Sequence, residues 1–289
     1  MIYSGFFYVV LCPKLTKMIN FNNTLITTKA NLLSADNRAF KYGDGLFETI
    51  KVLDLKVCFL EDHYFRLMAS MRMLRFEIPL NFTMEFFEQE IARTVEANNL
   101  QNARIRFSVY RKDGGLYNPL TNEVDYVIEA SELNIAEKEV YTLELFKDYY
   151  IYSGLLSTLK TTNKLINVLA SIYANENELD NCILVNEKKN VVEAINGNIF
   201  LVVGNTIKTP ALTEGCIKGI IRKKVIEILE NHKNYTIEET AISPFELQKA
   251  DELFITNAIV GIQAVSSYKK TNYASKVSTE IKTLLTQLI

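Results

Sequence analysis

Lys160 stands in Leu159-Lys160-Thr161-Thr162-Asn163, and Glu193 follows 33 residues later in Val192-Glu193-Ala194-Ile195-Asn196-Gly197-Asn198-Ile199-Phe200. A lysine amine and a remote carboxylate are the two groups a protein supplies to run pyridoxal phosphate as an electron sink. The amine bonds to the cofactor aldehyde, and the carboxylate keeps the pyridine nitrogen protonated so that carbanion charge spreads into the ring. Neither residue carries that reading alone, because one cation among 32 Lys and Arg is far more often a solvated surface charge. Their surroundings add to it. The apolar run Gly154-Leu155-Leu156-Ser157-Thr158-Leu159 predicts partial burial of Lys160, which lowers an amine pKa. Val191 and Val192 predict a strand that carries Glu193 inward, where a carboxylate needs a cationic partner. Lys164, one helical turn after Lys160, is the internal rival for the lysine role.

Several elements must position this pair. Residues 46–53 alternate as a strand and pair back through an Asp54-Leu55 turn to 56–60, after which Leu60 opens a helix. Thr83 caps a second helix with Phe86, Phe87, Ile91 and Val95 inside. Residues 104–110 and 124–129 alternate as two more strands around a Gly114-Gly115 turn. A connector follows at 130–139, and a second set of strands begins near Val140. Leu165, Val168, Leu169, Ile172 and Tyr173 follow helical spacing, so Lys160 sits at a junction leading into a helix. Further strands are expected at 182–186, 198–203, 206–208 and 252–256, with a helix from about 218 to 229. The order lacks parallel βαβ periodicity and predicts an α+β chain with barrel-like packing in its larger part.

The 289 residues, 48% of them hydrophobic, suffice for two modest domains with a sizeable core. A net charge of -2, with Lys and Arg scattered among acidic residues, provides no basic surface for a nucleic-acid backbone. Cys12, Cys58, Cys182 and Cys216 form no CxxC pair, which argues against a disulfide framework or a zinc site and for reduced cytoplasmic thiols. With His63 and His232 the only histidines, chemistry built on clustered imidazoles is excluded, and no metal site is expected. Residues 6–12 are apolar but lack a basic start and are too short to span a bilayer. Residues 1–17 read as an extension before a more natural beginning at Met18.

Blocks in a fixed order then point to a family. They are Asp36 to Thr49, Glu61-Asp62-His63-Tyr64-Phe65-Arg66-Leu67, Lys160 with Asn163, Glu193 with Asn198-Ile199-Phe200, Thr209-Pro210, Gly219-Ile220-Ile221-Arg222, and Ala250 to Ala258. From about Met18 to Val265 the chain resembles the class IV aminotransferases. These fold type IV pyridoxal-phosphate enzymes include branched-chain and D-amino-acid aminotransferases and aminodeoxychorismate lyase. The resemblance implies a two-domain α+β fold, with a small α/β domain over 18–132 and a larger, barrel-like cofactor-binding domain over 133–289. It makes Lys160 the Schiff-base lysine, which also moves the substrate Cα proton, and Glu193 the partner of the pyridine nitrogen. Arg66, whose alternative is a solvated helix charge, would grip the phosphate with its planar fork. Gly219, Ile220 and Ile221 would offer backbone N–H groups at a helix start, and Asn198, Thr256 and Asn257 complete the cofactor site. Arg38 reads as a brace for the Gly43-Asp44-Gly45 turn. The resemblance also implies a homodimer.

The reaction is less sharply specified. Three-residue spacing from Lys160 to Asn163, followed by Lys164, differs from the longer spacing and tyrosine usual in branched-chain enzymes. The 110–119 loop lacks the Arg-x-His trap of the D-amino-acid enzymes. Gly114-Gly115 and Asn257-Ala258 look more like the lyase. Transamination of an amino acid stands first, 4-amino-4-deoxychorismate lyase activity second, and a non-catalytic binding module on the same fold third.

Overall fold

The computed structural model describes residues 17–28, 30–135 and 137–289, so the reading of 1–17 as an extension, and Cys12 with it, lies outside the described residues apart from Lys17. The first half is β1 (Met18–Phe21), β2 (Thr24–Thr27), α1 (Arg38–Tyr42), β3 (Gly45–Leu53), β4 (Lys56–Val57), α2 (Leu60–Met73), α3 (Met84–Ala97), β5 (Ala103–Arg111) and β6 (Val124–Glu132). Its six strands form one sheet in the order β2-β1-β6-β5-β3-β4. The Asp54-Leu55 turn is present, both residues at positive φ, but the returning strand is only two residues long because Phe59, also at positive φ, turns the chain into α2. The Thr83 side chain accepts from Phe86 N and caps α3.

Alternation decides what each face of this sheet carries. Leu46, Ile50 and Val52 of β3, with Ile105, Phe107 and Val109 of β5, lie in the core with Leu67 and Met71 of α2 and Phe87 and Ile91 of α3. Phe47, Thr49, Arg104 and Arg106 therefore point to the other face, where Thr49 is paired with Arg106. Phe107 is stacked between Phe87 at 4.8 Å and Tyr126 at 5.4 Å.

The second half contains β7 (Thr142–Leu145), α4 (Leu165–Glu176), β8 (Asn181–Val185), β9 (Val191–Ala194), β10 (Asn198–Val203), β11 (Thr206–Pro210), α5 (Ile220–Glu230), β12 (Thr236–Thr240), α6 (Pro244–Leu247), β13 (Glu252–Asn257), β14 (Gly261–Val265), β15 (Ser267–Tyr268), β16 (Thr271–Asn272) and α7 (Lys276–Thr286). The expected barrel-like packing takes the form of two five-stranded sheets, β12-β11-β10-β13-β14 and β16-β15-β7-β8-β9. Among the described residues no closed ring of strands joins them. Both contribute to one core, with Ile199, Leu201, Leu253 and Ile255 from one and Leu143, Ile183 and Val191 from the other. The alternate residues Phe200, Val202 and Phe254 pack under α5 and α7. Being covered on both faces explains the unbroken apolar run Ile199-Phe200-Leu201-Val202.

Removing the central ring of the first core should be costly. Phe107→Ala should lower unfolding free energy by about 3–5 kcal/mol, measured by urea denaturation, with little change in the second half's secondary structure.

Candidate active site

Lys160 follows a short 3-10 turn, Leu155–Thr158, whose Leu155 and Leu156 are exposed. The apolar run is thus not what buries the lysine. Instead residues 160–162 lie along the start of β3: Phe47 N donates to Lys160 O at 2.9 Å, and Thr162 N to Gly45 O at 2.9 Å. This lays the Lys160 ammonium over the Phe47 ring, 4.4 Å from its centre. Burial, then the positive charge of Arg66, brings the Lys160 amine down to about 8.

The lysine lines a cavity of about 450 Å³ together with Arg66, Glu193, Asn198, Gly219, Ile220, Ile221, Thr256 and Asn257. All the sequence-predicted site residues thus meet in one place. Glu193 arrives on β9, buried throughout, and its Oε2 accepts from Ile217 N at 2.9 Å. Burial pushes its carboxyl up, opposed by the charge of Lys164, the Ile217 N–H and Lys160. Lys164 lines the same cavity, its amine lowered by burial and partly restored by Glu193.

Register brings the next group together. Asn198 on β10 is paired with Thr256 on β13, one step beyond the stacked pair Phe200 and Phe254 and on the same face. That face is the one α5 covers, so both residues meet the start of α5. Asn198 Nδ2 donates to Ile217 O at 2.8 Å, which braces the loop leading to Gly219. Asn257 Oδ1 accepts from Ile259 N and Val260 N and shapes the turn that lines the cavity. Thr256 Oγ1 is buried with no hydrogen-bond partner among the described residues. Helix α5 has no side-chain cap at Gly219, and among the described residues the N–H groups of Ile220 and Ile221, which line the cavity, have no hydrogen-bond partner. A Cβ at position 219 would lie 2.0 Å from Asn198 Oδ1, so a larger residue there must displace the Asn198 side chain.

Arg66 departs from its expected geometry. Its Nε donates to Glu48 Oε1 at 2.7 Å and its second terminal nitrogen to Glu48 Oε2, while the remaining terminal nitrogen donates to Lys218 O at 3.0 Å. The planar fork is therefore spent on Glu48, and only the outer N–H groups can serve a ligand. Arg38 donates to Asp44 and to the carbonyls of Gly114 and Leu116, so the brace spans the 114–117 loop as well as the turn.

The family model for amino-transferase class IV matches residues 45–268. A putative branched-chain-amino-acid aminotransferase of Methanocaldococcus jannaschii is 32% identical over 251 residues, 86% of each chain. The chain belongs to the class IV aminotransferase family. An aminodeoxychorismate lyase of Vibrio harveyi is 25% identical over 80% of this chain and 85% of its own. In fold, the crystal structure of a branched-chain aminotransferase from the archaeon Thermoproteus uzoniensis with norvaline matches with a TM-score of 0.85 at 22% identity, covering 94% of each chain. The chain is thus an enzyme, and the departures from the branched-chain pattern around Asn163 do not remove it from that neighbourhood.

Sequence reasoning missed Arg104 and Arg106 at this site. Both line the cavity, with the Arg106 guanidinium 3.9 Å above the Phe47 ring. The alternation of β5 already set them opposite the apolar residues, which was the available signal. Glu48 was missed as the partner of both Arg66 and His63, since these contacts join a strand to a helix.

Two outcomes are expected. The rate at which an acylating reagent labels Lys160 should rise through a midpoint near pH 8, the value given by its burial, as followed by peptide mass spectrometry. Gly219→Ala should leave a folded chain whose affinity for phosphate-bearing ligands drops at least about tenfold, measured by calorimetry, because the helix start is blocked or displaced.

Proposed function

We propose that this enzyme transfers an amino group between an amino acid and a keto acid with pyridoxal 5'-phosphate as cofactor. The observation that carries the reading is a cavity holding a lysine of depressed pKa, a buried carboxylate and an uncapped helix start together. The residues fit the cofactor. Glu193, buried with one hydrogen bond from Ile217, would accept from a pyridinium N–H. The orphaned Thr256 hydroxyl, the N–H groups of Ile220 and Ile221, and the outer face of Arg66 would hold the phosphate. Bound there, pyridoxal phosphate supplies an electron sink for a bond to the substrate Cα.

The chain's own residues supply the rest. Lys160 Nζ, its pKa brought down to about 8, takes the Cα proton and returns it, a task suited to an amine whose pKa lies close to the working pH. Phe47 lies under that nitrogen and limits its reach. Arg104 and Arg106 form no ion pair with a protein carboxylate among the described residues and offer the cavity a place for a substrate carboxylate.

Self-association belongs to this reading. Leu165, Val168 and Ile172 form an exposed stripe on α4 at the spacing of one helix face, which suits burial against a second copy. The buried free thiols of Cys58, Cys182 and Cys216 fit a reducing cytoplasm, and among the described residues no helix is long and apolar enough to cross a membrane.

Supplied with pyridoxal phosphate, the chain should absorb in the near-violet, and Lys160→Ala should lose both that band and at least about a thousandfold in turnover. A screen of L- and D-amino donors against keto acids should yield a new amino acid. Release of 4-aminobenzoate and pyruvate from aminodeoxychorismate, with no transamination, would replace this reading by the lyase one.

A further inference from the structure

Glu48 lies on the helix-covered face of β3, between Leu46 and Ile50, and is 1% exposed. It meets two side chains from α2 spaced three residues apart, hence on one helix face. His63 Nδ1 is 2.7 Å from Glu48 Oε2, and Arg66 holds both carboxylate oxygens. His63 is itself 1% exposed. Burial holds its imidazole below the usual pKa, against the pull of Glu48, while Arg66 and His63 overcome burial to bring Glu48 down to about 2. A neutral imidazole facing a carboxylate carries its proton on Nδ1 and donates it.

We propose that His63 is a positioning residue for phosphate recognition, acting through Glu48 on Arg66. The last torsion of a glutamate is broad and offers no preferred plane of its own. A guanidinium held bidentately lies in the plane of the carboxylate and follows it. His63 pins Oε2, fixes that plane, and so fixes the direction of the N–H groups Arg66 keeps free. The far end of Arg66 is fixed by Lys218 O, next to the Gly219 helix start, so the guanidinium and the N–H groups of α5 converge on one point. Without the imidazole the carboxylate turns and carries the guanidinium away from that point. This relay rests on the reading of the cavity as a pyridoxal phosphate site.

The test compares binding of pyridoxamine 5'-phosphate and of pyridoxamine, which lacks the phosphate, to the full cofactor-free chain by calorimetry. His63→Leu should weaken pyridoxamine 5'-phosphate on the order of tenfold, the scale of one charge-assisted hydrogen bond, and leave pyridoxamine unchanged. That unchanged affinity reports a folded site. His63→Asn, whose amide can donate from the position of Nδ1, should restore most of the difference. An unchanged ratio of the two affinities in His63→Leu, or equal losses for both ligands, overturns the relay, as does a His63→Asn chain that behaves like His63→Leu. A wild-type chain that binds neither ligand overturns the pyridoxal phosphate reading and the relay with it.

Discussion

A carboxylate buried on the covered face of a sheet must be matched by donors close at hand, since desolvation without a partner would drive it to the neutral form. Glu48 meets this with Arg66 and His63, and the match sets the position of α2 against β3. Four residues before Arg66 on the same helix, Asp62 pairs with Lys223 and Lys224 of α5. Helix α2 is thus fastened to the first sheet by one set of charges and to the second half of the chain by another. Arg66 itself spans that boundary, from Glu48 to the carbonyl of Lys218.

The remaining walls of the site follow from strand alternation. On β3 and β5 one face goes under the helices, which leaves Phe47, Thr49, Arg104 and Arg106 for the cavity. On β10 and β13 both faces are covered; at one end Asn198 and Thr256 reach the cavity, and at the other the buried Glu252 accepts from Val277 N and Ser278 N of α7. The same two-residue period that fills the cores therefore delivers the polar groups.

This explains what could be read from the residues alone. Most strands and the helices after Leu60, Thr83 and Lys164 were visible because their apolar periodicity is local. The barrel-like packing was less so: two sheets sharing one core and a closed ring demand the same apolar strands, and only the pairing separates them. Lys160 and Glu193 were named as a pair, and their roles came from the resemblance carried by ordered blocks along the chain. The cause assigned to burial at Lys160 was wrong, since Leu155 and Leu156 point to solvent and Phe47, more than a hundred residues earlier, covers the lysine. Asn198 could be placed at the site, but its hydrogen bond to Ile217 O depends on a loop the strand pattern does not describe. The spending of the Arg66 fork on Glu48 was hidden for the same reason.

Net charge concealed the electrostatics of the cavity as well. The chain as a whole carries -2, yet among the described residues Arg66, Arg104, Arg106, Lys160 and Lys164 line the cavity against the single carboxylate Glu193. Cations gathered in a partly enclosed space raise one another's cost, which is why burial and the Arg66 charge both act to lower the Lys160 amine. An arriving ligand that carries a phosphate and a carboxylate relieves this strain at two places. The lowered Lys160 amine is then a product of the same crowding, so the electrostatics that would attract an anion also bring this amine toward its neutral form.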